Sequence, residues 1–159
     1  MFRKKRYEQA SVASQKAGRN RVVKICQAYL LLEKAWVIST TASEARVQAF
    51  LTAAKAFVDC IRDSPVEQVK ERLGFHKAAG ECYSEAGSYI NSGKNYSIAG
   101  EYDEAARAYL KGKHIEKMVE VIIRYGDTMD SDLVECLEIA AKSHYFKVCF
   151  DRNPAVGRS

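Results

Sequence analysis

The sequence predicts an all-α domain built as a stack of antiparallel helical hairpins. Three observations predict it. Tyr83-Ser84-Glu85-Ala86-Gly87-Ser88-Tyr89 returns as Tyr96-Ser97-Ile98-Ala99-Gly100-Glu101-Tyr102, and Tyr109-Leu110-Lys111-Gly112 gives a third, looser copy. Each copy closes a helix-sized run with small residues and glycine, as helix C-termini do, and short-period self-similarity of this kind marks stacked helical units. The apolar positions elsewhere recur at helical spacing, and no segment alternates as a strand would.

The elements follow in order. Lys4 to Ala17 reads as a first helix with thin apolar content, closed by Ala17-Gly18. Asn20 starts a second that reaches about Val37, with Val22, Ile25, Cys26, Tyr29, Leu30, Leu32, Trp36 and Val37 giving a wide apolar face. Ser39 to Ser43 is a loop. Thr41-Ala42-Ser43-Glu44 has capping-box spacing and leads into a strongly amphipathic third helix carrying Val47, Phe50, Leu51, Ala54, Phe57, Val58 and Ile61. Ser64-Pro65-Val66-Glu67 reads as the cap, first position and box of a fourth helix, from Val66 to Ala86.

Gly74 and Gly80 each weaken that helix by about 1 kcal/mol relative to Ala, or let a neighbour approach closely. Two short helices follow, near 90–99 and 102–111. The first is poor by propensity, since Asn91, Ser92, Gly93 and Asn95 all disfavour helix. The second opens on Asp103-Glu104, which suits its dipole. Ile115, Met118, Val119, Ile122 and Tyr125 share a face on another helix. Asp130-Ser131 caps a last one carrying Leu133, Leu137, Ala140 and His144. Residues 1–150 thus form one domain, and the unpatterned stretch 151–159 reads as a disordered tail.

Composition narrows the function classes. The chain has 159 residues, 47% hydrophobic and 28% charged, with five cysteines. No apolar run approaches the roughly 20 residues needed to span a bilayer, and the charged start MFRKKRYEQA has no apolar stretch behind it to make a secretory signal. Cys26, Cys60, Cys82, Cys136 and Cys149 are odd in number and widely spaced, which reads as free thiols acting as small core hydrophobes in an intracellular protein, cytoplasmic or nuclear. The net charge of +5 is uneven. Residues 1–24 hold eight basic groups against Glu8, and the remainder is slightly acidic.

Catalytic and cofactor motifs are not found. Gly87 to Asn95 is the nearest approach to a phosphate loop, but five residues separate its glycines where four are needed, and Asn95 stands where Ser or Thr would hold Mg²⁺. His76, His114 and His144 are scattered, without metal-ligand spacing. There is no oxyanion turn or nucleophile elbow to give acid pairs such as Glu135 and Glu138 catalytic work. The expectation is a non-enzyme with no cofactor and no metal. Its candidate contact residues are of two kinds. Tyr89, Tyr96, Tyr102 and Tyr109 are candidates for a protein or peptide partner, with the rule that most repeat tyrosines fill gaps between helices. Arg3, Lys4, Lys5 and Arg6 are candidates for phosphate or an acidic partner.

Glu101-Tyr102-Asp103-Glu104-Ala105-Ala106-Arg107-Ala108-Tyr109, followed by Ile115 to Ile122, looks like a tetratricopeptide (TPR) unit. The wider order runs from Phe2 to Ala10, through Ala49 to Phe57 and Ala79 to Gly87, and ends at Ala140 to Phe146. It resembles the helical region after the motor in large UvrD-like helicase proteins, the TPR-and-ankyrin-repeat-containing group. Asn91-Ser92-Gly93 departs from the Lys-Ala-Ala usual in such units, and the motor is absent. The resemblance implies a TPR-like α-solenoid, a scaffold accessory to a helicase whose partner is a protein or a neighbouring domain. The alternative is a nucleic-acid-binding accessory that uses the basic first helix.

Overall fold

The computed structural model describes residues 2–16 and 20–153. They form eight α-helices and one 3-10 turn, and no strand is found among them. The helices are α1 (Phe2–Lys16), α2 (Asn20–Val37), α3 (Ser43–Asp63), α4 (Val69–Glu85), α5 (Tyr89–Ala99), α6 (Tyr102–Lys111), α7 (Ile115–Tyr125) and α8 (Ser131–Arg152), with the 3-10 turn at Gly126–Thr128. Each helix packs mainly on its neighbours in the chain, α1 on α2 through to α7 on α8, and α8 also touches α6.

Two apolar clusters result. The first lies between α2, α3 and α4, where Ala28, Ala35, Ala53, Ala54, Ala78 and Ala79 let the helices close around Phe50, Phe57 and Phe75. Phe57 meets Tyr29 edge-on at 5.0 Å and Phe50 meets Trp36 edge-on at 5.0 Å, which are favourable ring geometries. Fully burying each phenylalanine contributes about 1.5–3 kcal/mol. The second cluster joins α6, α7 and α8 through Tyr109, Ile115, Met118, Val121 and Leu137.

From α4 to α7 the chain repeats one join. The carbonyls of Tyr83, Tyr96 and Tyr109 accept from the N–H groups of Ser88, Glu101 and His114 at 2.8, 2.9 and 2.8 Å. The residues just before those donors, Gly87, Gly100 and Lys113, have φ of 75°, 80° and 60°. This is the Schellman closure of a helix, in which one left-handed residue lets two orphan carbonyls find donors. Ser88, Glu101 and His114 then take nearly the same backbone, φ −87° to −88°, and open the next helix. Thirteen-residue spacing carries into the core: Ala79, Ser92, Ala105 and Met118 are all fully buried.

The third copy is shifted. Its glycine, Gly112, is right-handed, with φ −79°. A Cβ there would meet Tyr89 Cβ at 2.7 Å, so Gly112 serves close packing and the left-handed position falls to Lys113. The unfavourable run Asn91-Ser92-Gly93 is helical all the same. Ser92 Oγ donates to the Gly80 carbonyl at 2.8 Å, and the Tyr109 ring takes the space beside Gly93, so packing between helices outweighs propensity.

Two expected caps do not form. Thr41 Oγ1 pairs with Ser39 Oγ at 2.8 Å inside the turn, and α3 begins behind Ala42 with no side-chain cap. Ser64 ends α3 instead of starting α4. Its hydroxyl donates to the Cys60 carbonyl at 2.7 Å, while Arg72 covers the Ile61 and Ser64 carbonyls at 2.8 and 2.9 Å. With that hydroxyl engaged, α4 starts only at Val69. The cap at Asp130 is made, its carboxylate accepting from Leu133 N–H at 2.9 Å. Helix α8 continues through Arg152, so Asp151 and Arg152 are helical rather than tail, and 154–159 lie outside the described residues.

Candidate interaction surfaces

The four candidate tyrosines divide by phase within the repeat. Tyr96 and Tyr109 are buried. Their rings lie against Gly80 and Gly93, on the helix that precedes each in the stack, and offer no face to a partner. Burial raises the pKa of both phenols, and for Tyr96 the nearby Glu81 and Glu104 add to the effect. These two tyrosines hold the repeat together. Tyr89 and Tyr102 are half-buried. Tyr102 stacks flat on Tyr125, with centroids 3.8 Å apart and planes at 8°, which joins the start of α6 to the end of α7. The candidate protein-facing set is therefore Tyr89 and the Tyr102–Tyr125 pair, the last a residue that sequence reasoning assigned only to a packing face.

The basic cluster is open. Lys4, Lys5 and Arg6 are exposed on the first turns of α1, and none makes an ion pair with a described residue. The side chain of Arg3 lies outside the described residues. Tyr7, which follows the cluster, is committed to α2 by stacking on Tyr29 at 5.7 Å and 15°.

Two further basic groups, both on α2, are paired. Arg21 pairs with Glu71 and also reaches Gln68 Oε1 at 2.6 Å, while Lys24 pairs with Asp63. The latter hydrogen bond holds the Lys24 ammonium above its usual range and the Asp63 carboxyl below its own. These residues border an open groove of about 390 Å³ between α2 and α3, floored by Leu31 and Ala56. Its charges are already paired, so it presents no net sign to a ligand.

A third polar assembly sits where α2, α3 and α4 meet. The Arg46 guanidinium lies over the rings of Trp36 and Phe50, at 5.2 and 5.0 Å, donates to the Ile38 carbonyl at 2.8 Å and pairs with Glu85 at 3.5 Å. Glu81, half-buried beside it, is raised above the usual carboxylate range first by burial and then by Glu85, with Trp36 and Lys77 acting the other way. The stacked guanidinium fixes the α2–α3 corner.

Cys26, Cys60 and Cys82 are buried. Burial pushes the Cys60 thiol to about 11 and the Cys82 thiol to about 12, so neither presents a thiolate near neutral pH. Cys136 and Cys149 are exposed on α8 and are not the core hydrophobes expected of them. His76 is held through Nδ1 by Asn95 Oδ1 at 2.9 Å. Gly93 of the loop-like Gly87–Asn95 stretch is buried inside α5, where its backbone forms no phosphate cradle. Among the described residues no group of three or more His, Cys, Asp or Glu side chains is placed to hold a metal ion, and no helix is long and apolar enough to cross a membrane.

Sequence reasoning passed over the outer face of α8, where Ile139, Phe146 and Phe150 are exposed. Helical periodicity carries the signal, since that helix is apolar on two sides. His144, placed on that side, is exposed. No family model, no curated protein and no solved structure matches the chain.

Proposed function

We propose that the chain is a non-catalytic, intracellular scaffold, a TPR-like α-solenoid that binds a protein partner or a neighbouring domain as an accessory region of a UvrD-like helicase protein. The observation that carries this reading is the thirteen-residue join repeated at Gly87, Gly100 and Lys113. Units that repeat in this way stack in one dimension and leave long open faces, the usual basis of repeat-protein recognition. The helicase assignment rests on the resemblance of the ordered helices to that group. Tyr89, Tyr102 and Tyr125 with the mixed charges around them supply the amphipathic contact surface.

The second reading is nucleic-acid binding, favoured by the free Lys4, Lys5 and Arg6. Three or four phosphate contacts from one helix give weak, sequence-blind binding with a salt slope of about −3 to −4. The test adds a purified UvrD-like motor in trans and follows binding by calorimetry. In parallel, labelled single-stranded and duplex DNA are titrated at about 150 mM salt, where the screening length is about 8 Å. Micromolar binding to the motor supports the scaffold reading, and no binding removes the helicase assignment. Submicromolar DNA binding that collapses in Arg3/Lys4/Lys5/Arg6→Ala replaces the scaffold with the second reading.

A further inference from the structure

Where α5, α6 and α7 meet, a cleft of about 180 Å³ holds polar groups that the chain does not satisfy. Ser97 of α5 and Tyr109 of α6 line it opposite Lys117, Glu120 and Arg124 of α7, and Tyr125 stands at its end. Glu120 follows Lys117 by three residues and precedes Arg124 by four, so it could pair with either on one helix face. It pairs with neither, and none of the three makes an ion pair with a described residue. Lys117 is nonetheless half-buried. Ser97 Oγ is cut off from solvent and has no hydrogen-bond partner among the described residues. It faces the Tyr109 hydroxyl, which also feels the charge of Glu120. The Tyr109 ring is committed to Gly93, so only its hydroxyl edge reaches the cleft. Buried polar groups are ordinarily hydrogen-bonded, and an exception calls for a reason.

The same place one unit earlier is closed. Thirteen residues back, Lys117 and Glu120 become Glu104 and Arg107, which pair with each other at 3.7 Å. Tyr125 becomes Gly112, where a Cβ would already meet Tyr89 and His114, so no aromatic wall can stand there. The open cleft is therefore a property of the residues on α7 and not of the repeat geometry alone.

We propose that this cleft binds the side-chain carboxylate of an Asp or Glu in a protein partner, an inference that rests on the reading of the chain as a protein-binding scaffold. Arg124 offers a planar fork that matches a carboxylate. Lys117 supplies an ammonium that has no counter-ion within the chain, and Ser97 supplies a hydroxyl that has no other partner. Charge decides between kinds of anion. Two cations against the single carboxylate of Glu120 leave one positive charge, which a carboxylate neutralises. A phosphate, at about −1.5 to −2 near neutral pH, overshoots it and meets Glu120 as a like charge. Size agrees, since the cleft is smaller than the roughly 300–1,000 Å³ of a cofactor-sized pocket and suits a group no larger than one side chain. Tyr125, held flat against Tyr102, gives the methylene stem of that side chain an apolar flank.

Titration of the full chain with N-acetylglutamate N-methylamide, followed by amide NMR spectra, tests the proposal. The main-chain carboxyl of this probe is blocked, so the side chain offers its only carboxylate. The resonances of Ser97 and residues 117–125 should shift with a dissociation constant on the order of 1–10 mM, as for one small polar contact. The uncharged glutamine analogue should bind at least about tenfold more weakly, and Lys117→Gln and Arg124→Gln should each weaken the glutamate probe at least about fivefold. Lys55→Gln, at an exposed site on α3, should change nothing. Inorganic phosphate should bind more weakly than the glutamate probe, and Glu120→Gln should tighten it by removing the like charge. Shifts confined to Lys4–Arg6, equal binding of the glutamine analogue, or phosphate binding tighter than the glutamate probe in the wild type would each overturn the proposal. The probe involves no motor, so its failure strikes the cleft alone. These shifts together with no binding to the motor would remove the helicase assignment alone.

Discussion

The ring of Tyr109 occupies the space that a side chain at position 93 would need: a Cβ built on Gly93 would lie 2.4 Å from Tyr109 Cε1. Sixteen residues separate the two, and the same offset relates Gly80 to Tyr96, where the corresponding approach is 3.0 Å. One unit further on the pair becomes Ala106 and Ile122, both associated with the second core cluster. A larger residue on one helix is met by a smaller one on the next, so this position in the repeat conserves volume rather than residue type.

Gly93→Ala is therefore expected to destabilise the fold although alanine is the better helix former. The propensity gain is about 1 kcal/mol, while overpacking a closed contact costs about 1–3 kcal/mol. Urea denaturation should show a lower midpoint for Gly93→Ala, and Gly93→Ala combined with Tyr109→Ile should lose less than the two single changes added together. A Gly93→Ala chain as stable as the wild type would mean that the Tyr109 ring does not lie there.

Lys113 holds a conformation that its two counterparts assign to glycine. A left-handed backbone costs a residue bearing a Cβ roughly 1–2 kcal/mol, and Gly in its place gives back about 0.4–1 kcal/mol through the freer unfolded chain. Lys113→Gly should raise stability by about 0.5 kcal/mol, and Gly100→Ala should lower it by a similar or larger amount. A thermal melt that puts the two changes in the opposite order would contradict the shared Schellman join.

Much of the helical plan was legible because its signals are local. The bounds of α5, α6 and α7 follow from the Tyr-to-Gly copies, and Asp130 caps α8 as its position predicts. The failures have physical reasons. Thr41 and Ser64 carry hydroxyls at cap-like spacing, but each finds a nearer partner, Ser39 Oγ or the Cys60 carbonyl. Gly93 reads as a helix breaker until the ring that needs its small size is placed beside it from another helix. Tyr96 and Tyr102 are the same residue type six positions apart, and only the phase of the packed helices decides that one is buried and the other half-open. The basic cluster was legible as charge, because nothing else in the first turns competes for it. The outer stripe of α8 was missed because periodicity identifies one apolar face most readily and this helix has two.

Thiol reactivity should follow burial. Cys136 and Cys149 are exposed, whereas burial holds Cys60 near 11 and Cys82 near 12 and raises Cys26. A disulfide-exchange reagent at about pH 8, close to the pKa of a free thiol, should titrate the two exposed cysteines of the native chain rapidly and all five once it is unfolded. Fast native labelling at Cys82 would show that α4 opens locally far below the cost of global unfolding.

Glu81 should make part of the stability depend on pH. Its carboxyl is raised above the ordinary value of 4.5, first by burial and then by Glu85, so folding favours its protonated form. That contribution is fully present below the unfolded pKa and is lost as pH rises through the folded one. Asp63, whose carboxyl is lowered by its hydrogen bond to Lys24, works in the opposite sense, losing its contribution as pH falls through its folded pKa. Comparing wild type with Glu81→Gln isolates the first effect, because both chains keep the Lys24–Asp63 pair. Gln keeps the size and the hydrogen-bonding oxygen while removing the charge that burial and Glu85 disfavour. Glu81→Gln should therefore melt higher than wild type at pH 7, by a margin that narrows as pH falls and closes below the ordinary carboxylate range. Melting temperatures followed by circular dichroism from neutral to acidic pH would reveal the trend, and a variant less stable than wild type at neutral pH would mean that the pull of Lys77 and Trp36 outweighs the burial.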